Sequence, residues 1–355
     1  VTDARRLAER ALELVRIPSP IGHEQRIAEH VHQWALARFP ARQVFRHSHS
    51  LVIGALDDPR PAVALIGHLD TVPKHPGQSE PRLEGDRLQG LGSSDMKGAL
   101  AVMLTLAEKL PLATLPVNLL LVFYEREEGP YLENGLGPLM EKVPKLHQLA
   151  LGIAMEPTDN KVQVGCMGTL HATVTFAGQS AHSARPWQGR NAIHDAGELL
   201  SELKARGRHE VLASGYPFYE VMTATLASGG RARNVVPDHF ELNLNYRFAP
   251  GKSLQQAQDD VHALVKERAR VQFTDLSPSG RVCADNAHFQ KLLKLTGAAA
   301  ESKQAWTDVA RFSEAGVDAV NFGPGESAQA HQAEESAPVA ALSVAYDMLE
   351  KLLTS

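Results

Sequence analysis

Cysteine is scarce. The 355 residues hold two, Cys166 and Cys283, far apart and without a CxxC pair. That excludes a disulfide framework and favours a reducing compartment. Long apolar runs are also missing: none approaches the roughly 20 residues that a membrane span requires. The opening residues, Val1-Thr2-Asp3-Ala4-Arg5-Arg6, lack the apolar core of a signal peptide. A cytoplasmic protein with no membrane partner is expected. There is no excess of positive charge, since the formal net charge is −5, so nucleic acid is not an expected partner. Repeats, heptads and low-complexity tracts are absent. What is present is the composition of a soluble globular protein, 43% hydrophobic and 22% charged, long enough for two or three domains and a sizeable core.

The pattern of the first 165 residues alternates helices with apolar strands. Leu7, Ala11, Leu14 and Val15 mark a first helix, which Pro18 ends, and Ile27, Val31, Trp34 and Ala35 mark a second. Apolar runs from Ala62 to Ile66, Val117 to Tyr124 and Leu151 to Met155 read as buried strands. This predicts an α/β domain with a mixed, largely parallel sheet. Between Asp70 and about Gly90 a polar Pro- and Gly-rich loop is expected. From Gly168 the period changes: alternating strands and two helices give the order β-α-β-β-α-β, the pattern of a ferredoxin-like α+β module. Residues 167–279 therefore read as an inserted second domain, with residues 1–166 and 280–355 forming a discontinuous first one.

The ionisable residues of interest lie just beyond predicted strands or in Gly-rich turns: His68, Asp70, Asp95, Glu127, Glu128, Glu156 and His331. In an open α/β sheet that carboxyl edge is where ligands bind. Imidazoles with several carboxylates suit divalent metals such as zinc. His68 and Asp70 are two apart, so an extended chain points both the same way. Singly, each residue has a plainer reading. Asp95 precedes a helix and could cap it; Glu127-Glu128 could be a solvated face; Glu156 could be a loop residue and His331 a surface histidine.

Taken together the order is specific. Gly67-His68-Leu69-Asp70-Thr71-Val72-Pro73, Gly92-Ser93-Ser94-Asp95-Met96-Lys97-Gly98, Glu127-Glu128-Gly129, Glu156-Pro157-Thr158 and Ala330-His331 resemble the co-catalytic zinc aminoacylase and carboxypeptidase family, nearly end to end. Ala181-His182-Ser183-Ala184-Arg185-Pro186, Arg233-Asn234-Val235-Val236-Pro237-Asp238 and Trp306-Thr307-Asp308 support it, and the shorter bacterial desuccinylases are the most similar branch. The resemblance implies a zinc-peptidase-like catalytic domain with an inserted lid and dimerisation domain, and two Zn2+ per subunit, with Co2+ or Mn2+ as substitutes. It implies that His68 and Glu156 bind one ion, Glu128 and His331 the other, and that Asp95 bridges them. It makes Asp70 the partner that orients His68, and Glu127 the general base. A cis peptide at Asp95-Met96 goes with it. In a homodimer, His182 would reach the other subunit's site and hold the oxyanion. Asn234, Arg247 and Thr307 would bind substrate.

The implied reaction is hydrolysis of the N-acyl amide of an amino acid, with N-succinyl-LL-diaminopimelate the expected substrate. N-acetyl-amino-acid deacetylation, of the acetylornithine or acetylcitrulline type, and dipeptide hydrolysis are alternatives on the same scaffold; a non-catalytic metal-binding protein is a remote one. Longer desuccinylases carry an arginine just before the Gly-Ser or Gly-Thr of the lid strand, where this chain reads Cys166-Met167-Gly168-Thr169. Arg185, Arg190, Arg231 and Arg233 are candidates to replace that cation.

Overall fold

Strands buried on both faces read as continuous apolar runs. Ala62–His68 and Asn118–Tyr124 do so, and every residue of each is buried. The computed structural model, which describes residues 4–297 and 300–355, places them at the centre of an eight-stranded sheet. Its order is Val44–His47, Ser50–Ile53, Asn118–Tyr124, Ala62–His68, Leu149–Ala154, Ala319–Asn321, Val162–Val164, Ala300–Ser302. The central strands pair in parallel. Antiparallel pairs extend the sheet at Ser50–Ile53 and Val162–Val164. Helix Gly98–Lys109 is apolar nearly all round because helices Ala4–Val15 and Val339–Thr354 cover it.

The chain divides into two units. The first takes in Val1–Gly165, Arg281–Lys303 and Thr307–Ser355; the second Cys166–Gly280 and Gln304–Trp306. The segment expected to be a loop after Asp70 carries regular structure. Arg82–Glu84 and Arg87–Gln89 form a hairpin, and Ser336–Pro338 pairs with its second strand. The turn residues Gly85 and Asp86 close it, and Gly85 has φ +61°. The strands, three residues each, are too short for their period to be read.

The second unit is a five-stranded antiparallel sheet. Its order is His209–Ala213, Tyr216–Gly229, His239–Phe248, Gly168–Ala177, Arg270–Ser277. Four of these strands, with the helices in one layer on one face, make the expected ferredoxin-like order, and His209–Ala213 adds a hairpin to it. The first helical stretch, expected as one helix, is split into Ala192–Asp195 and Gly197–Arg206. Leu170, Ala172, Val174 and Phe176 alternate onto the helix side and pack with Leu199, Val261 and Val265. Thr169, His171, Asn243, Asn245 and Arg247 occupy the other, polar face.

Candidate metal centre

At the carboxyl edge of the parallel strands, the first unit gathers the candidate ligands. His68 ends its strand and is 1% exposed. Its Nδ1 lies 3.0 Å from the Asp70 main-chain oxygen. A carbonyl oxygen only accepts, so in the neutral ring Nδ1 carries the proton and Nε2 keeps its lone pair. That lone pair faces Asp95 Oδ1 at 3.1 Å. A metal-binding imidazole needs this tautomer, held by this kind of hydrogen bond. The Asp70 carboxylate stands farther from the ring, 3.6 Å at Oδ1. Its closer partners are the backbone N–H groups of Glu127 and Glu128, each donating at 3.0 Å. Asp70 thus orients His68 chiefly through its main chain and fixes the glutamate pair through its side chain.

Asp95 has an oxygen for each imidazole. Oδ1 faces His68, while Oδ2 is 3.7 Å from His331 Nε2. His331 Nε2 is also 2.8 Å from Glu128 Oε1. Asp95 caps no helix: Gly98–Lys109 starts from Lys97 without a side-chain cap. The Asp95-Met96 peptide is cis. Two sets of side chains could each hold an ion, their ligand atoms lying within 4.8 Å of one another: His68, Asp95 and Glu156, and Asp95, Glu128 and His331. A third, overlapping set contains His68, Glu127 and Glu128.

Local backbone chemistry explains the convergence. Arg126, before the glutamate pair, and His331 have φ of 60° and 63°, the left-handed region that side chains rarely adopt. The Gly323-Pro324-Gly325 turn lets the segment leading to His331 press against two others. A Cβ at Gly323 would lie 2.4 Å from the Glu156 carbonyl oxygen, and one at Gly325 would lie 2.1 Å from that of Ser94.

The electrostatics describe a site short of positive charge. Burial, then the charge of Glu156, pushes Glu127 well above the usual carboxylate range. Burial, then the charge of Asp95, pushes Glu156 up to about 7. Burial alone would raise Asp95, but its bond to His68 and the nearby cationic groups hold it low. For His68, burial acts downward and the Asp95 bond, with the charges of Asp70 and Glu127, overcomes it, so the ring sits well above its ordinary value. The bond to Glu128 lifts His331 to about 9. Protons here stand where divalent cations would balance the same carboxylates, and the mixed nitrogen and oxygen donor set fits such ions.

In the second unit His182 and Asn234 are brought together. Ser183 N–H donates to the Asn234 carbonyl at 2.9 Å, and His182 bridges Val235. His182 is exposed, and its Nδ1 accepts from Ala184 N–H at 3.1 Å. A neutral ring then presents Nε2–H outward as a donor. Arg247 is half-buried, which lowers its pKa, and its Nε donates to Asn245 Oδ1 at 3.3 Å. Thr307, in the first unit, is 1% exposed, and its hydroxyl donates to Asn321 Oδ1 at 2.8 Å. Met167 is fully buried. Trp306 donates Nε1–H to the Pro278 carbonyl at 3.1 Å.

Two residues at the first unit's site carry no sequence signal of their own. Lys303, 7% exposed, donates to the Pro157 carbonyl at 3.2 Å and supplies positive charge to Asp95 and Glu156. Glu335, 1% exposed, sits behind the Asp95 turn. Only its place four residues after His331 could have pointed to it.

The profile of peptidase family M20/M25/M40 matches residues 64–355. A Mycobacterium tuberculosis protein that bears the name succinyl-diaminopimelate desuccinylase is 36% identical over 341 residues, covering 96% of each chain. The succinyl-diaminopimelate desuccinylase of Corynebacterium glutamicum is 34% identical over 359 residues, covering 96% of this chain and 94% of its own. Among solved structures, the aminopeptidase PepT of Bacillus cereus superposes with a TM-score of 0.78 at 18% identity, covering 99% of this chain and 98% of its own.

Proposed function

The chain belongs to peptidase family M20/M25/M40, and from that premise we propose that it removes succinate from N-succinyl-LL-diaminopimelate as a dinuclear zinc amidohydrolase, a step toward lysine and cell-wall precursors. The carrying observation is the Asp95 carboxylate, which turns one oxygen toward His68 and the other toward His331. The desuccinylase names among its relatives supply the substrate.

His68, Asp95 and Glu156 would hold one Zn2+, and Asp95, Glu128 and His331 the other. Bound there, the ions supply Lewis acidity toward the amide carbonyl and a lowered pKa for the attacking water. Asp70 keeps the backbone of Glu127 and Glu128 in place through its two carboxylate bonds. Glu127, which belongs to neither of these two sets, would take the proton from the attacking water and pass it to the leaving amine nitrogen. His182 donates Nε2–H to the oxyanion of the tetrahedral intermediate. Asn234, beside His182, binds substrate, and Arg247, at the far end of strand His239–Phe248, receives a substrate carboxylate; its guanidinium makes two parallel hydrogen bonds where lysine would make a point contact. Thr307 shapes the site by holding Asn321.

A homodimer completes this reading, with residues 166–280 as the lid and dimerisation domain and His182 serving the other subunit. Strand Tyr216–Gly229 supports it: its hairpin partner pairs only with residues 216–220, which leaves one edge of the remainder open among the described residues. Leu226 on that strand is 72% exposed, and Trp187 is 77% exposed.

The test is amine release by the zinc-loaded protein from N-succinyl-LL-diaminopimelate, acetylornithine, acetylcitrulline and a simple dipeptide. Strong preference for the succinyl substrate is expected. Preference for an acetyl substrate or the dipeptide would overturn the substrate and leave the metal chemistry standing.

A further inference from the structure

Glu335 belongs to none of the ligand sets, yet its carboxylate is the most heavily engaged acceptor at the site. Oε2 accepts the backbone N–H of Gly92 at 2.9 Å. Oε1 accepts those of Ser94 at 2.9 Å and Asp95 at 3.0 Å. Its main-chain oxygen accepts Gly90 N–H at 2.9 Å. A second tie joins the same two segments: Ser94 Oγ donates to the Ser336 carbonyl at 2.9 Å and accepts from Glu326 N–H at 3.1 Å. One segment carries Asp95 and the other carries His331.

The chemistry of the bond set is demanding. An ionised carboxylate is acceptor-only, with room for all three N–H groups. Those groups belong to a turn whose own geometry leaves them without backbone partners, and a buried N–H left unsatisfied is costly. No neutral side chain of this size replaces the carboxylate. Glutamine in the same pose would keep an oxygen for Ser94 and Asp95 and turn an NH2 against the Gly92 N–H. Alanine would orphan all three donors.

We propose that Glu335 is a positioning residue that locks the Asp95 turn to the His331 segment, so that the ion set of Asp95, Glu128 and His331 is assembled only while this carboxylate is in place. The proposal rests on the reading that the cluster holds two divalent cations. The set of His68, Asp95 and Glu156 depends on the lock at one residue; the other set depends on it at both ends, through Asp95 and through His331. Loss of the lock should therefore act unequally on the two ions.

The experiment is zinc titration of chelator-stripped full-length protein by calorimetry, with the melting temperature of the metal-free protein measured alongside. Wild type should bind two zinc ions. Glu335→Gln should weaken one of the two ions by roughly 10- to 100-fold, the usual penalty for losing a hydrogen-bond partner behind the ligands, and change the other much less. His331→Ala should remove the ion thus weakened, and adding Glu335→Gln to it should cost the remaining ion only the small loss seen in Glu335→Gln alone. Glu334→Gln, which removes an exposed charge beside Glu335, should bind as wild type does. A merely structural role predicts something else: both affinities falling by the same factor, in step with the metal-free melting temperature. That outcome, or two wild-type affinities in Glu335→Gln, overturns the proposal. If Glu335→Gln does not accumulate folded, Glu335→Asp keeps the charge one methylene short, and wild-type affinity for both ions in that variant overturns it equally. A wild-type chain that takes up fewer than two ions defeats the two-cation reading itself, a failure separate from that of the lock.

Discussion

Replacing Glu127 by glutamine should damage catalysis and help the metal-free fold, and the two effects have one cause. Ligand atoms of His68, Glu127 and Glu128 lie within 4.8 Å of one another. Two carboxylates at that separation repel by about 3.5 kcal/mol at an effective dielectric of ~20. The metal-free protein limits this cost by keeping a proton on Glu127, whose pKa is raised first by burial, then by the charge of Glu156, with Glu128 adding to both. Glutamine removes both the repulsion and the need for the proton. At pH 8 the metal-free Glu127→Gln protein should therefore gain about 1–3 kcal/mol, a rise of several degrees in melting temperature. With both ions bound the charges are already balanced, so the gain should shrink. The amide cannot accept a proton from water, so kcat should fall roughly 10²- to 10⁴-fold, about 3–5 kcal/mol of barrier, while two zinc ions still bind. The assays are differential scanning calorimetry with and without zinc, metal analysis and initial rates. An active Glu127→Gln enzyme, or one that loses metal and activity together, refutes the role of general base; a metal-free variant less stable than wild type refutes the electrostatic reasoning.

Other outcomes follow from the same geometry. Glu156, raised to about 7 from 4.5 in the metal-free fold, contributes stability that is complete below about pH 4.5 and lost as pH rises through 7. The 2.5-unit difference corresponds to about 3 kcal/mol. His331, raised to about 9, adds a loss of the same sign between its unfolded value near 6.5 and pH 9. Thermal melts of stripped protein should fall from pH 5 to 8, and added zinc should raise the melt more at pH 8 than at pH 5; a flat profile would count against both assignments. Asp70→Asn should put an NH2 against the backbone N–H of Glu127 or Glu128 and cost about 1–3 kcal/mol, measured by urea unfolding, with kcat falling more than zinc content. His182→Ala should lower kcat and leave zinc stoichiometry unchanged; equal loss of both would exclude an oxyanion donor. Leu226→Asp, on the open edge of its strand, should shift the protein toward monomer in light scattering, and an unchanged dimer would move the interface elsewhere.

The primary structure determined the sheet and most of the site. Apolar runs with no room for a wet face, Ala62 to Ile66 and Val117 to Tyr124, could only be strands buried on both sides, and the polar residues that follow them had to emerge at one edge. His68, Glu127, Glu128 and Glu156 were legible for that reason. The alternation of Leu170, Ala172, Val174 and Phe176 likewise revealed the second unit's core face. Short elements escaped, since a three-residue strand such as Arg87–Gln89 shows no period and exists only because Ser336–Pro338 pairs with it. Tertiary structure alone decided the rest. It showed that the Asp70 carboxylate serves two backbone amides rather than chiefly the neighbouring ring, that Asp95 divides its oxygens between His68 and His331, and that Glu335, 240 residues from Asp95, holds that residue's turn. A hydrogen bond between backbone and a distant carboxylate depends on where the folded chain returns, and no local pattern of residues encodes that return.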